Sequence, residues 1–238
     1  MNRFISSLAA FACVSVMGAC ATQSSAVLIK AEKAADIVGS CGAVAPSDVS
    51  AAFPDGGSIY GIALANGYVL TDAYAVPEDA RYANVTVDDA RGQYGTITIV
   101  ARVVTVDRGA GFALLRAPYE FRCRAILADM GHVQAGNAVQ WRLGEYSIMH
   151  DGQIVHPYFD FDGPGHDNDV MVLSDGLHDA GQGVYDDDGM LVGMMLGNDA
   201  GRDGELDDYV LALPADRIAR FLDAERVPYL VVNGVLFK

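Results

Sequence analysis

The stretch SIYGIALANGYVLT, residues 58–71, decides the class of fold. Two apolar runs rich in Ile, Leu, Val and Tyr flank the dipeptide Asn66-Gly67. Asn-Gly accepts the positive φ values that a two-residue hairpin turn demands, so the runs on either side read as paired antiparallel strands. More strand-like runs follow: ANVTVDD (83–89), the long β-branched TITIVARVVTVD (96–107) and FALLRA (112–117). A second series begins near Ala138 with AVQWRLG. It continues with SIMH and QIVH, joined at Asp151-Gly152 as a second hairpin, then DVMVL, LVGMMLG and YVLAL. Strands at short spacing with Gly and Asp turns between them are the mark of a sandwich or barrel.

After the second series, PADRIARFLDAE (214–225) has Pro at its start and Ile218, Phe221 and Leu222 on one face, which predicts a helix. YLVVNGVLF (229–237) predicts a terminal hairpin on Asn233-Gly234. Two sets of about six strands predict an all-β chain. It is expected to form two packed six-stranded antiparallel β-barrels, one over about 45–125 and one over about 135–212, with a closing helix at 214–225.

The first twenty residues are of another kind. MNRFISSLAAFACVSVMGAC has one positive charge, Arg3, an apolar run from Phe4 to Met17, and small residues before Cys20. That is a secretory signal, too short in its apolar part for the roughly 20 residues of a membrane span. Its end, VMGAC, resembles the lipobox of bacterial lipoproteins, with Met17 where Leu is usual. The resemblance implies removal of residues 1–19, a lipid on Cys20, and an envelope protein facing the periplasm, with Ala21 pointing to the outer membrane. The alternative is cleavage after Ala21, which gives a soluble periplasmic or secreted protein. Residues 20–44 are then anchor, polar spacer and one short helix in LIKAEKAADIV (28–38). The domain proper occupies 45–238.

Removing the signal removes Arg3 and no acid, leaving 15 basic against 31 acidic residues. Such a balance offers no extended basic face, so nucleic-acid binding is not expected. Cys41 and Cys123 remain after Cys13 leaves and Cys20 is lipidated. In an exported protein they are a disulfide pair in prospect, worth about 4 kcal/mol if unstrained; two buried thiols are the other reading. No glycine loop with a following Lys is present, and no nucleotide or other cofactor is expected. The acidic stretches at 160–170 and 198–208 have the oxygen ligands that Ca²⁺ prefers, but not EF-hand spacing, and read as solvated loops. The five histidines lack metal-ligand spacing, and no metal site is expected.

Four stretches, in order, resemble the trypsin-like serine peptidases, above all their bacterial periplasmic members. GYVLTDAYAV (67–76) is similar to the strand and turn that deliver the catalytic histidine. GFALLR (111–116) is similar to the strand that delivers the aspartate. HDAGQGVYDDDGMLVGM (178–194) is similar to the nucleophile turn and the hairpin after it, and YVLALPADRIARFL (209–222) to the closing strand and helix. The resemblance spans roughly residues 58–222 and implies the double barrel already expected from the strand count.

The departures decide the functional expectation. The histidine position holds Tyr74, the aspartate position Gly111 and the serine position Ala180. The family's reaction needs a hydroxyl nucleophile, an imidazole base and a carboxylate to orient it. A methyl group, a phenol and a bare backbone supply none of these. No histidine precedes His132, so barrel one has no imidazole to offer. The turn His178-Asp179-Ala180-Gly181 would carry the family's oxyanion amides at His178 and Ala180, and His178 stands where the family has glycine. The expectation is therefore a silent protease homologue that binds peptide or protein, or serves as a scaffold. The alternative is a hydrolase with a rebuilt site using Ser174, His178 and Asp179, with Asp72 and Asp107 as the nearby carboxylates of barrel one.

Overall fold

The computed structural model describes residues 26–29, 48–54, 58–88, 96–143, 148–159, 170–174, 176–197 and 209–232. The signal, Cys20, Cys41 and the acidic loops named above lie outside those residues. So do most of the expected N-terminal helix and the second half of the terminal hairpin.

Six strands form barrel one: β2 (Asp48–Ala52), β3 (Ser58–Ala63), β4 (Tyr68–Asp72), β5 (Tyr82–Asp88), β6 (Thr96–Asp107) and β7 (Phe112–Arg116). They close in the order β2-β3-β4-β7-β6-β5, each pair antiparallel. Asn66 and Gly67 take φ of 57° and 75° in the β3–β4 connection, as the Asn-Gly reading requires.

Barrel two contains β9 (Ala138–Leu143), β10 (Ile148–Phe159), β11 (Val170–Leu173), β12 (Gly183–Tyr185), β13 (Leu191–Met195) and β14 (Val210–Pro214). Its ring runs β9-β10-β11-β14-β13-β12 and is again antiparallel throughout. The helix α1 (Ala215–Ala224) follows directly from β14 and buries Ile218, Phe221 and Leu222, the face expected.

Three strands extend barrel two in parallel fashion. β8 (Ile126–Leu127) pairs with the first residue of β13, β15 (Tyr229–Val232) pairs with β8, and β1 (Ala26–Ile29) pairs with β15. Residues 26–29 are thus strand, where the sequence predicted spacer and the start of a helix. Four residues carry too little periodicity to identify a strand whose partner lies two hundred positions away. β15 forms as expected, with parallel neighbours on both edges. The hairpin expected at Asp151-Gly152 is absent. β10 runs straight through it, with Asp151 opposite Gln140 and Gly152 opposite Val139. Gly152 serves packing: a Cβ there would fall 2.4 Å from the ring of buried Trp141.

β4 and β7 are buried on both faces. Val69, Ala113 and Leu115 point into barrel one, while Leu70, Phe112 and Leu114 join the core of barrel two. Phe112 also stacks on Phe221 of α1, ring centroids 5.0 Å apart. Alternate side chains on a strand face opposite ways, so one continuous apolar run fills two cores.

A buried polar tie also crosses between the barrels. Oδ1 of Asp48, on β2, accepts from the Tyr185 hydroxyl at 2.7 Å and from Gly183 N at 3.1 Å, both on β12. Burial pushes the Asp48 carboxyl up to about 7, against the hydroxyl and amide bonds and the charge of Arg142, which favour ionisation. The folded chain therefore holds a proton up to about pH 7 that the unfolded chain releases near 3.8. Wherever the native state binds more protons, stability falls as pH rises. Asn at this position keeps the acceptor oxygen and never ionises. Asp48→Asn is expected to match the parent only below about pH 3.8 and to gain on it as pH rises towards 7, by roughly 1–3 kcal/mol between pH 5 and pH 8, read from urea midpoints. Equal pH dependence of the two proteins would show that Asp48 does not titrate in this window.

Candidate functional site

β4 and β7 run side by side, Thr71 opposite Ala113 and Asp72 opposite Phe112. Their ends deliver the turns that carry Tyr74 and Gly111. Ala73 N donates to Gly111 O at 3.2 Å, which brings the two backbones together. The side chains complete the clamp. Tyr74 Oη donates to Arg108 O at 2.9 Å, and Arg108 Nη2 donates to Val76 O at 3.1 Å. The phenol is thus spent on the opposite turn while its ring stays exposed.

Gly111 takes φ of 83°, at the close of a turn in which Gly111 N donates to Asp107 O and Asp107 Oδ1 accepts from Ala110 N. Left-handed backbone at this angle suits glycine and strains other residues. An acid at this position would meet the same strain. Asp107 Oδ1 is thus engaged in its own turn. Arg217 of α1 reaches the same turn, with Nη2 3.3 Å from Ala110 O.

Ala180 comes from barrel two and is pinned against barrel one. Tyr60 N donates to Ala180 O at 3.3 Å, and Gly181 N donates to Met195 O at 2.9 Å. Gly181 has φ of 81°, and a Cβ there would lie 2.1 Å from Tyr60 O and 2.8 Å from Thr71 Oγ1. Thr71 Oγ1 itself donates to Tyr60 O at 2.6 Å. The left-handed residue of this turn is Gly181 and not His178. Buried Gln182 folds back on the turn, its Oε1 accepting from Asp179 N at 3.0 Å.

The residue that joins the three positions is Asp72. It is 2% exposed. One oxygen accepts from Tyr74 N at 2.8 Å, the other from Gly197 N of barrel two at 3.0 Å. A Cβ placed on Gly197 would lie 3.5 Å from Asp72 Oδ2 and 3.6 Å from the Ala180 methyl. Tyr74, Gly111 and Ala180 therefore gather around one buried carboxylate. Burial raises the Asp72 pKa, and its two amide bonds oppose the rise. Both oxygens serve backbone amides, so Asp72 acts as a brace. The sequence offered only its place two residues before Tyr74, and nothing local revealed that it spans the barrels.

The alternative set does not assemble. Ser174 Oγ accepts from Gln153 N at 2.9 Å, and His178 Nδ1 lies 3.4 Å from Gly176 O in its own loop. No hydrogen bond among the described residues joins Ser174 to His178, or His178 to Asp179. Nor do the described residues bring together three His, Cys, Asp or Glu side chains able to hold a metal. Cys123 is disulfide-bonded, with a partner outside the described residues.

No family model matches the sequence, and no curated protein matches it. Solved structures do. The Rv3671c protease of M. tuberculosis in its active form aligns with TM-score 0.61 at 17% identity, over 88% of this chain and 92% of that one. Deg5 aligns with TM-score 0.63 at 15% identity, over 84% of this chain and 99% of that one. The MamO protease domain of Magnetospirillum magneticum aligns with TM-score 0.57 at 20% identity, over 76% and 98%. The chain has the double-barrel fold of trypsin-like serine protease domains.

The conformation of Gly111 predicts the cost of restoring an acid there. Gly111→Asp is expected to lose about 1–2 kcal/mol in chemical denaturation, the cost of left-handed backbone for an L-residue. An unchanged midpoint would show that the turn readily adopts another conformation.

Proposed function

We propose that the protein is a trypsin-like protease homologue without hydrolytic activity, whose seam binds a peptide or protein partner or serves as a scaffold. A lipid on Cys20 carries it on the bacterial envelope, facing the periplasm and favouring the outer membrane. Cleavage after Ala21, with a soluble periplasmic product, is the competing maturation. A Cys41–Cys123 bridge belongs to the same proposal and suits an oxidising compartment.

One observation supports the silent reading above the rest. The residues at the family's base, acid and nucleophile positions are a phenol bonded to a carbonyl, a left-handed glycine and a methyl group. Loss of a single triad member costs about 10⁴-fold, and what survives is oxyanion stabilisation and binding alone. A phenol is a poor general base at neutral pH.

Purified protein is expected to leave casein and peptide esters intact and to escape labelling by a broad serine-directed probe. Ala180→Ser is expected to stay equally inert, because the family's imidazole position holds Tyr74. Turnover by the parent chain, abolished by Ser174→Ala or His178→Ala, would overturn the proposal. Mass spectrometry of the mature N-terminus decides the anchor: an acylated Cys20 supports it, and a free residue 22 removes it.

A further inference from the structure

The pole of barrel two opposite the seam carries a cavity that the silent site does not use. β12 leaves the Ala180 turn and β13 returns to Gly197, so the turn between them, 186–190, lies at the far end of that hairpin. There a cavity of about 710 Å³ opens, within the roughly 300–1,000 Å³ range of small-molecule sites. Its floor is apolar and buried, formed by Leu127, Val139, Ile154 and Val192. Its rim carries Asp186, Asp187 and Asp188 from the hairpin and Asp129 from the β8–β9 connection. Among the described residues no Lys or Arg lines it, and His132 is the single basic group on its wall.

The rim is a fixed arrangement. Asp186 Oδ1 accepts from Asp188 N at 3.0 Å and from Met190 N at 2.8 Å, while Gly189 N donates to Asp186 O. Gly189 takes φ of 73° to close the turn. Asp129 Oδ1 accepts from Gly131 N, and its other oxygen lies 3.5 Å from His132 Nε2. The backbone thus holds the hairpin's acids side by side over a non-polar floor.

We propose that this cavity binds a small organic cation, with an ammonium head among the aspartates and an apolar body on the floor. Charge complementarity selects the head, since neighbouring carboxylates repel one another and a cation relieves the repulsion. The buried floor selects the body. Asp186 is pushed up to about 6 by burial and by the charges of Asp188 and Asp187, against its amide bonds. Asp129 and His132 face it from the other wall. As pH rises from 5 to 8 the Asp186 carboxyl ionises and the rim gains negative charge, so cation binding strengthens.

Isothermal titration of the full chain with phenylbutylamine, phenylbutanol and phenylbutyrate separates the contributions. The amine is expected to bind at least about tenfold more tightly than the alcohol, to weaken in high salt, and to weaken from pH 8 to pH 5. The carboxylate is expected not to bind. The double variant Asp187→Asn, Asp188→Asn keeps both backbone amides that Asp186 holds. It is expected to bring the amine down to the alcohol's affinity and leave the alcohol unchanged. Equal affinities for all three probes, or an amine indifferent to the double variant, would overturn the proposal.

Discussion

The antiparallel ladder of β4 and β7 is the constraint on which the rest of this molecule depends. Each of its apolar side chains faces one of two cores, and none faces water. Burying a Leu, Val or Phe side chain contributes about 1.5–3 kcal/mol, so this one strand pair supports both barrels at once. It also fixes where the barrels meet. The ladder ends at Asp72 and Phe112, and the two turns that continue from it carry Tyr74 and Gly111. A slip of one residue in this pairing would turn Leu70 and Leu114 into barrel one and Val69 and Leu115 out of it, which sterically forbids small adjustments of the seam.

Two buried carboxylates bridge the barrels beside that ladder. Asp48 reaches from β2 to Tyr185 and Gly183, and Asp72 from β4 to Gly197. Both have raised pKa values because burial disfavours their charge. Buried acids are poor devices for raw stability, but each satisfies donors that would otherwise stay unpaired. Apolar contact between two curved sheets tolerates sliding. A carboxylate that must meet particular amides does not, so these two acids set the register of one barrel against the other.

Much of this was legible in the residues. Alternation and β-branched runs identified most strands, and Asn66-Gly67 marked its turn correctly because both residues needed positive φ. The same logic failed at Asp151-Gly152, where glycine answers to the ring of Trp141 from a neighbouring strand. Local patterns cannot distinguish a glycine required by a turn from one required by a side chain far off in sequence. The parallel strands β1, β8 and β15 escaped for a related reason: they are two to four residues long and paired with distant partners. Tyr74, Gly111 and Ala180 were found through resemblance to a family frame. Asp72 stood in the same quoted stretch, but its role exists only where two barrels touch.

Packing between the barrels explains part of the frame around Ala180. The features of that frame still present here are those with packing duties. Gly181 leaves no room for a Cβ against Tyr60, and Thr71 bonds the same carbonyl. Leu70 and Leu114 fill the second core. The side chains of Tyr74 and Ala180 fill neither core. The ring at Tyr74 is about half exposed, and the methyl of Ala180 lies partly open to the cleft. A change at a position of the first kind breaks the contact between barrels, whereas a change at the second kind leaves both cores filled.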